Sequence, residues 1–313
     1  MDFLLEGVHV GGEQGDERGG DGREDGEQIY FAISKDGLHY KDLNGGNPIL
    51  ISDIGELGAR DPFIIRDVWN PSHFYLIATD LRIANGKGWD VAQYAGSKSL
   101  LIWESEDLIN WTKVRSVEIG VKEAGCVWAP EAIYDQKREA YLVFFASMVK
   151  LEGDENAKQR IYATYTRDFK EFTAPKIYIE RENHVIDTTI IFDGKTYYRF
   201  SKDETDKVIT LDKGTDLMGE FVSVPSETLQ NLYGVEGPEC YYLHDRQKWC
   251  LIVDRFAAQK GYLPILCENL DKGELVILEE GSYDLGEIKK RHGGIIPISE
   301  EEYLRLEKQY MEE

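Results

Sequence analysis

Five times along a chain of 313 residues, one polar side chain stands at the head of a new apolar run. These are Asp61 in RDPF, Glu131 in WAPEAI, Asp187 in IDTTII, Glu236 in VEGPEC and His292 in RHGGII, separated by 70, 56, 49 and 56 residues. An unpaired buried carboxylate is costly. A chain that leads strand after strand with one must therefore supply a shared polar destination for them.

The runs between these points are short and rich in aromatic residues: IYFAIS, HFYLIATD, SLLIWES, AYLVFFAS, RIYATYT, TYYRFS and WCLIVD. Each has strand length, and turn residues bound most of them. A second signature recurs with them, a hydroxyl residue, a charged residue, Asp, and then an aromatic. It appears as SKDGLHY (34–40), SEDLINW (105–111) and TRDFKEF (166–172), with a weaker echo in GTDLMGEF (214–221). An Asp-initiated turn between two strands, with the aromatic packing back, accounts for it.

Five similar units of about four short strands predict an all-β fold, a five-bladed β-propeller. A pair of β-sandwiches would not hold five polar residues in phase. The last unit has one clear strand, GIIPIS, so residues 1–50 are expected to supply its missing strands. N-terminal strands joining the last blade would close the ring and remove two exposed sheet edges. Residues 1–313 are read as a single domain ending in a short helix, SEEEYLRLEKQYMEE (299–313). Ser299 and Glu302 would form its capping box, and Tyr303, Leu304 and Leu306 would dock it.

Charge narrows the ligand. Lysine and arginine number 36, aspartate and glutamate 58, giving a formal net charge of −22. Such a surface repels nucleic acid, anionic membranes and polyanionic substrates, which leaves a neutral ligand. Cys126, Cys240, Cys250 and Cys267 lack C-x-x-C spacing, so no zinc site is expected. A turn at residues 245–248 would set Cys250 opposite Leu243 and away from Cys240, so all four are read as reduced, mostly buried thiols. The opening MDFLLEGVHV lacks a basic leader pattern, and no apolar run reaches the roughly 18 residues that span a bilayer. The expected location is cytoplasmic.

In a propeller the first strand of each blade lines the central channel. The five phased residues should then meet at one mouth of it. The polar insertions 80–98, 148–160 and 201–207 should rim that mouth, joined by the acidic stretch 11–28. Facing carboxylates repel, so at least one should keep its proton near neutrality. Two carboxyls with divergent pKa values are what glycoside hydrolysis requires. Trp89, in the first long insertion, is a candidate subsite residue, and Arg291 a candidate partner for a sugar hydroxyl. Glu131 could touch substrate or brace a neighbouring blade. Glu239, three residues beyond Glu236, is read as structural.

RDPF, WAPEAIYD, IDTTIIFDGKTYYRF, VEGPE and RHGGIIPI, in this order, resemble glycoside hydrolase family 43, from about residue 28 to residue 308. The resemblance implies a five-bladed propeller that inverts the anomeric centre. It implies Asp61 as general base, Glu236 as general acid, and Asp187 as the residue that positions that acid and tunes its pKa. It further implies Trp128 as a stacking wall and His292 as neighbour to a channel cation, calcium or sodium, with no cofactor required. The chain departs from the family pattern at Thr188, where Pro is common, and at Arg60, where His or a small polar residue is frequent. Fructan-hydrolysing propellers also carry RDP, but their upstream Asn-Asp-Pro-Asn motif is replaced here by GGNPIL. The expected function is release of a neutral pentose from an oligosaccharide, foremost by an α-L-arabinofuranosidase. The alternatives are a β-xylosidase, a galactan- or arabinan-cleaving enzyme, or a non-catalytic glycan-binding propeller.

Overall fold

The computed structural model describes residues 6–12 and 26–311. Most of the acidic stretch 11–28, from residue 13 to residue 25, lies outside the described residues.

Short β-branched and aromatic runs separated by tight turns pair mostly with their sequence neighbours, and within each sheet every pairing is antiparallel. β1 (Glu6–Gly12), β2 (Ile29–Ser34) and β3 (Tyr40–Asp42) share a sheet with β20 (Gly293–Ile298), in the order β20-β1-β2-β3. β4 (Ala59–Arg66), β5 (Phe74–Asp80), β6 (Ser99–Ser105) and β7 (Arg115–Glu118) form the next. β8 (Trp128–Asp135), β9 (Ala140–Val149), β10 (Lys158–Thr166) and β11 (Lys176–Ile179) form a third. β12 (Val185–Phe192), β13 (Tyr197–Asp203), β14 (Val208–Gly214) and β15 (Val222–Ser223) form a fourth. β16 (Glu236–Leu243), β17 (Lys248–Asp254), β18 (Tyr262–Asn269) and β19 (Glu274–Ile277) complete the set.

The first strands of these sheets touch in sequence: β4 meets β8, β8 meets β12, β12 meets β16, β16 meets β20, and β20 meets β4. This is a propeller arrangement. Apolar side chains fill the wedges between sheets; Phe31, Ile33, Leu76 and Trp103, for example, pack into one core with Ile298 and Leu306. Each such side chain contributes roughly 1.5–3 kcal/mol by leaving water.

The recurrent turn forms as expected. Asp36 Oδ1 accepts from the amides of Leu38 and His39, Asp107 Oδ1 from Ile109 and Asn110, and Asp168 Oδ1 from Lys170 and Glu171. The residue after each Asp is left-handed: Gly37 at φ 75°, Leu108 at 65° and Phe169 at 55°.

Three local expectations are corrected. The insertion 80–98 carries a helix, α1 (Gly88–Ala95), where a loop was expected. The turn before β17 falls at residues 244–247, so Cys250 pairs with Tyr241 and not with Leu243. All four cysteines are nevertheless free and buried. With α2 (Glu227–Gln230) between β15 and β16, the last helix is α3 (Glu300–Met311). Its capping box is made: Ser299 N donates to Glu302 Oε2 at 2.7 Å and Glu302 N to Ser299 Oγ at 3.2 Å. Tyr303 and Leu306 dock it, but Leu304 is 50% exposed, because it falls on the outer side of the helix.

Among the described residues no helix is long and apolar enough to cross a membrane.

Candidate active site

The question posed by Asp61 has a backbone answer. Four of the first strands shift register near their start: β4 between Arg60 and Phe63, β8 between Trp128 and Glu131, β12 between Ile186 and Thr188, and β16 between Glu236 and Glu239. Each shift contains one left-handed residue: Asp61 at φ 47°, Ala129 at 46°, Asp187 at 43° and Gly237 at 51°. A bulge of this kind bends the strand and re-aims a side chain that regular alternation would send elsewhere. Aspartate tolerates the conformation better than most residues. At Gly237 a side chain is also excluded by space, since a Cβ would lie 2.8 Å from His292 Cγ.

The bulges revise the expected phase. Asp61 and Asp187 occupy equivalent positions, with Ala129 and Gly237 their counterparts. Glu236 sits one residue before that position and Glu131 two after it. Spacing along the sequence does not reveal such offsets, because a bulge adds a residue without adding length.

Asp61 is held on both carboxylate oxygens. Thr79 Oγ1, on the adjacent strand β5, donates to Oδ2 at 2.8 Å, and His292 Nδ1 lies 3.1 Å from Oδ1. Burial works to raise the Asp61 carboxyl, but His292, Arg60 and Thr79 outweigh it and hold the group well below the usual carboxylate range. His292 responds in kind: burial disfavours its charge, yet Asp61, Asp187 and Glu236 push it up to about 9. The pair is an imidazolium and a carboxylate.

Glu236 is also doubly engaged. Lys202 Nζ donates to Oε2 at 2.7 Å, and Arg291 Nη2 lies 3.2 Å from Oε1. Burial raises this carboxyl, but the two cations prevail and lower it. The charge of Asp187 was expected to keep Glu236 protonated; here the neighbouring cations reverse that balance. Asp187 itself is buried, accepts the Gly237 amide at 3.1 Å, and is pushed up to about 6 by burial together with Glu236 and Asp61, against His292 and Lys202.

Asp61, Asp187, Glu236 and His292 therefore surround one another at one mouth. Arg291 lies there as well, but its guanidinium serves protein carboxylates, Asp254 at 2.7 Å through Nε and Glu236 through Nη2. These contacts hold the expected sugar-binding candidate beside the acid. Trp89 and Trp128 meet edge to face, with ring centroids 5.9 Å apart, so α1 leans over the start of β8. Arg60 points to Glu27, 2.9 Å away, and covers the Trp89 ring at 4.9 Å.

Glu131 and Glu239 lie deeper and are both buried. Thr189 Oγ1 donates to Glu239 Oε2 at 3.3 Å and the Ile295 amide to Oε1 at 3.1 Å. Burial pushes Glu239 up to about 8; it pushes Glu131 well above its ordinary value, with Glu239 adding to the effect. Burial favours the protonated form of both, and the Thr189 and Ile295 contacts tie Glu239 to β12 and β20.

Among the described residues there is no cluster of three or more His, Cys, Asp or Glu fit to hold a metal. Among the described residues, those around His292 supply no such ligand set.

Three contributors escaped sequence reasoning: Lys202, Asp254 and Thr79. A signal existed for two of them. Lysine in the buried run YYRFSKD needs a carboxylate partner, and the aspartates closing ATD, SKD and IVD mark the ends of second strands that reach the same mouth.

Residues 18–304 match a family described as a probable glycosyl hydrolase domain, related to glycoside hydrolase family 43. The chain belongs to this family. It is 34% identical to an α-L-arabinofuranosidase of Bifidobacterium longum subsp. longum, over 57% of this chain and 18% of that protein. The chain thus spans less than a fifth of that relative's length. In shape it is similar to an endo-1,4-β-xylanase from Bacteroides thetaiotaomicron, with TM-score 0.58, 13% identity, and coverage of 86% of this chain and 91% of that one. It is also similar to an exo-β-1,3-galactanase from Phanerochaete chrysosporium, with TM-score 0.51, 15% identity, and coverage of 77% and 52%. At such identities these likenesses speak to the fold.

Proposed function

We propose that the chain is an inverting glycoside hydrolase acting on a neutral oligosaccharide and releasing a pentose, foremost as an α-L-arabinofuranosidase. The five four-stranded sheets are read as blades of one catalytic ring, closed where β1 pairs with β20. The observation that carries the chemistry is the convergence of Asp61 and Glu236 on the consecutive residues His292 and Arg291. Asp61, held below the usual carboxylate range, takes a proton from the attacking water. Glu236 protonates the departing oxygen. Inversion requires the two carboxyls roughly 6.5–9.5 Å apart, with water between them. The arabinofuranosidase reading draws on the Bifidobacterium relative; xylosidase and galactan cleavage share the chemistry and differ in the sugar.

Hydrolysis of an aryl α-L-arabinofuranoside, followed by NMR of the released anomer, tests this. The inverted anomer should appear first, and Asp61→Ala or Glu236→Ala should slow release by about 10²–10⁴-fold. Equal rates in parent and variants would end the assignment. One observation favours a second reading: both oxygens of Glu236 are engaged by cations, which suits a glycan-binding site without turnover. Calorimetric sugar binding with no product from any aryl pentoside or galactoside would select it.

A further inference from the structure

Lys202 is almost wholly buried on β13, in register with Ile186 of β12, one residue before Asp187. Its ammonium has two carboxylate partners. Glu236 Oε2 stands at 2.7 Å and Glu204 Oε2 at 2.6 Å, while the Phe256 ring covers the group at 4.4 Å. Glu204 lies just past the end of β13 and also pairs with Lys207. Arg291, the other cation on Glu236, is anchored differently: Asp254, buried at the end of β17, holds its Nε.

A general acid must present a protonated oxygen to the leaving group. Each Glu236 oxygen faces a cation, so one cation has to give way. Arg291 is fixed in a fork between two acids. Lys202 is a point charge on a flexible stem, with a second carboxylate within reach.

We propose that Lys202 is a positioning residue for the acid step, passing from Glu236 to Glu204 as substrate enters and so opening Glu236 Oε2 to the glycosidic oxygen. This rests on the reading of Glu236 as the acid. Glu236 takes one proton from solvent as the ammonium, still charged, shifts to Glu204. That proton passes to the glycosidic oxygen while the bond from the anomeric carbon to that oxygen breaks and its electron pair stays with the oxygen. The attacking water forms the new bond to carbon and gives its proton to Asp61.

The charged groups around Glu236 come from every packed element: Lys202 from β13, Asp187 from β12, Asp254 from β17, and Arg291 and His292 ahead of β20. The test is therefore differential. The pH dependence of kcat/KM is measured on 4-nitrophenyl α-L-arabinofuranoside for the parent and for Lys202→Met, Lys202→Arg, Glu204→Gln and Glu236→Gln. Without the lysine, the fall in rate at higher pH should move up by roughly one unit or more. Glu204→Gln should move it down, because Lys202 then has Glu236 alone. Lys202→Arg should keep the limb at or below the parent's position but lower kcat at least tenfold, because a guanidinium fork does not give way as the ammonium does. Shifts of the same sign in Lys202→Met and Glu204→Gln, or no shift in either, overturn the inference. Should Lys202→Met fail to fold, an unmoved or raised limb in Glu204→Gln overturns it alone. If Glu236→Gln abolishes activity while these limbs stay in place, only the role of Lys202 falls. A Glu236→Gln variant as active as the parent removes the acid assignment and this inference with it.

Discussion

His292 donates from Nδ1 to Asp61 Oδ1 across 3.1 Å, and each group fixes the charge of the other. Replacing the imidazolium by a neutral amide tests how much of the base's acidity comes from it. In His292→Gln the Asp61 carboxyl should rise by roughly one to three units. The acidic limb of kcat/KM should then move to higher pH. An unchanged acidic limb would show that Arg60 and Thr79 suffice.

The parent enzyme should work best on the acid side of neutrality. Asp61 stays ionised at low pH, while Glu236, lowered by Lys202 and Arg291, must carry a proton for the acid step. The rate should therefore fall as pH rises toward neutrality, when that proton becomes hard to supply. A pH profile of the rate on an aryl pentoside reads this directly; a maximum above pH 8 would contradict it.

Glu239 ties stability to pH in a defined direction. Its folded-state pKa, about 8, exceeds the ordinary value of 4.5, so the folded chain holds a proton that the unfolded chain has lost. Stability is therefore full below about 4.5 and declines as pH rises toward about 8. Glu239→Gln should flatten this slope and raise the melting temperature most near pH 8. Parallel thermal-melt curves for parent and variant across that window would refute the assignment.

A bidentate ion pair helps tie the terminal helix to β4. Arg66 donates to both oxygens of Glu302, at 2.8 and 2.9 Å, and the same carboxylate closes the capping box. Bidentate, partly buried pairs of this kind outperform exposed ones. Arg66→Ala should cost about 1–3 kcal/mol in denaturant unfolding. It should leave the aryl glycosidase rate within twofold, since α3 lies away from the mouth.

The repeat was readable because every unit makes the same demand. A turn that needs Asp at its corner and a first strand that needs a polar head leave marks at fixed places, and Asp61, Asp187 and Glu236 carried those marks. What could not be read was the count of residues inside each bulge. Ala129 and Asp187 are equivalent in space and unlike in chemistry, so side-chain identity alone misaligned Glu131 with the others. The partners of the acids were hidden for a related reason. Lys202 and Thr79 lie on second strands, and hydrophobic alternation does not say which residue of a neighbour faces a bulge. Arg291 was placed in the site from sequence, but its carboxylate partners Asp254 and Glu236 were not legible, because one dimension does not show which acid a cation faces.

The pairing of β1 with β20 has a consequence for biogenesis. The segment that completes the first sheet, residues 293–298, is preceded directly by the two cations that grip the opposed acids. A growing polypeptide can lay down four sheets while still lacking both grips. Competence for chemistry would then arrive in a single late event, as the last of these strands zips alongside the first, and a chain stalled short of that seam would be nearly folded yet inert.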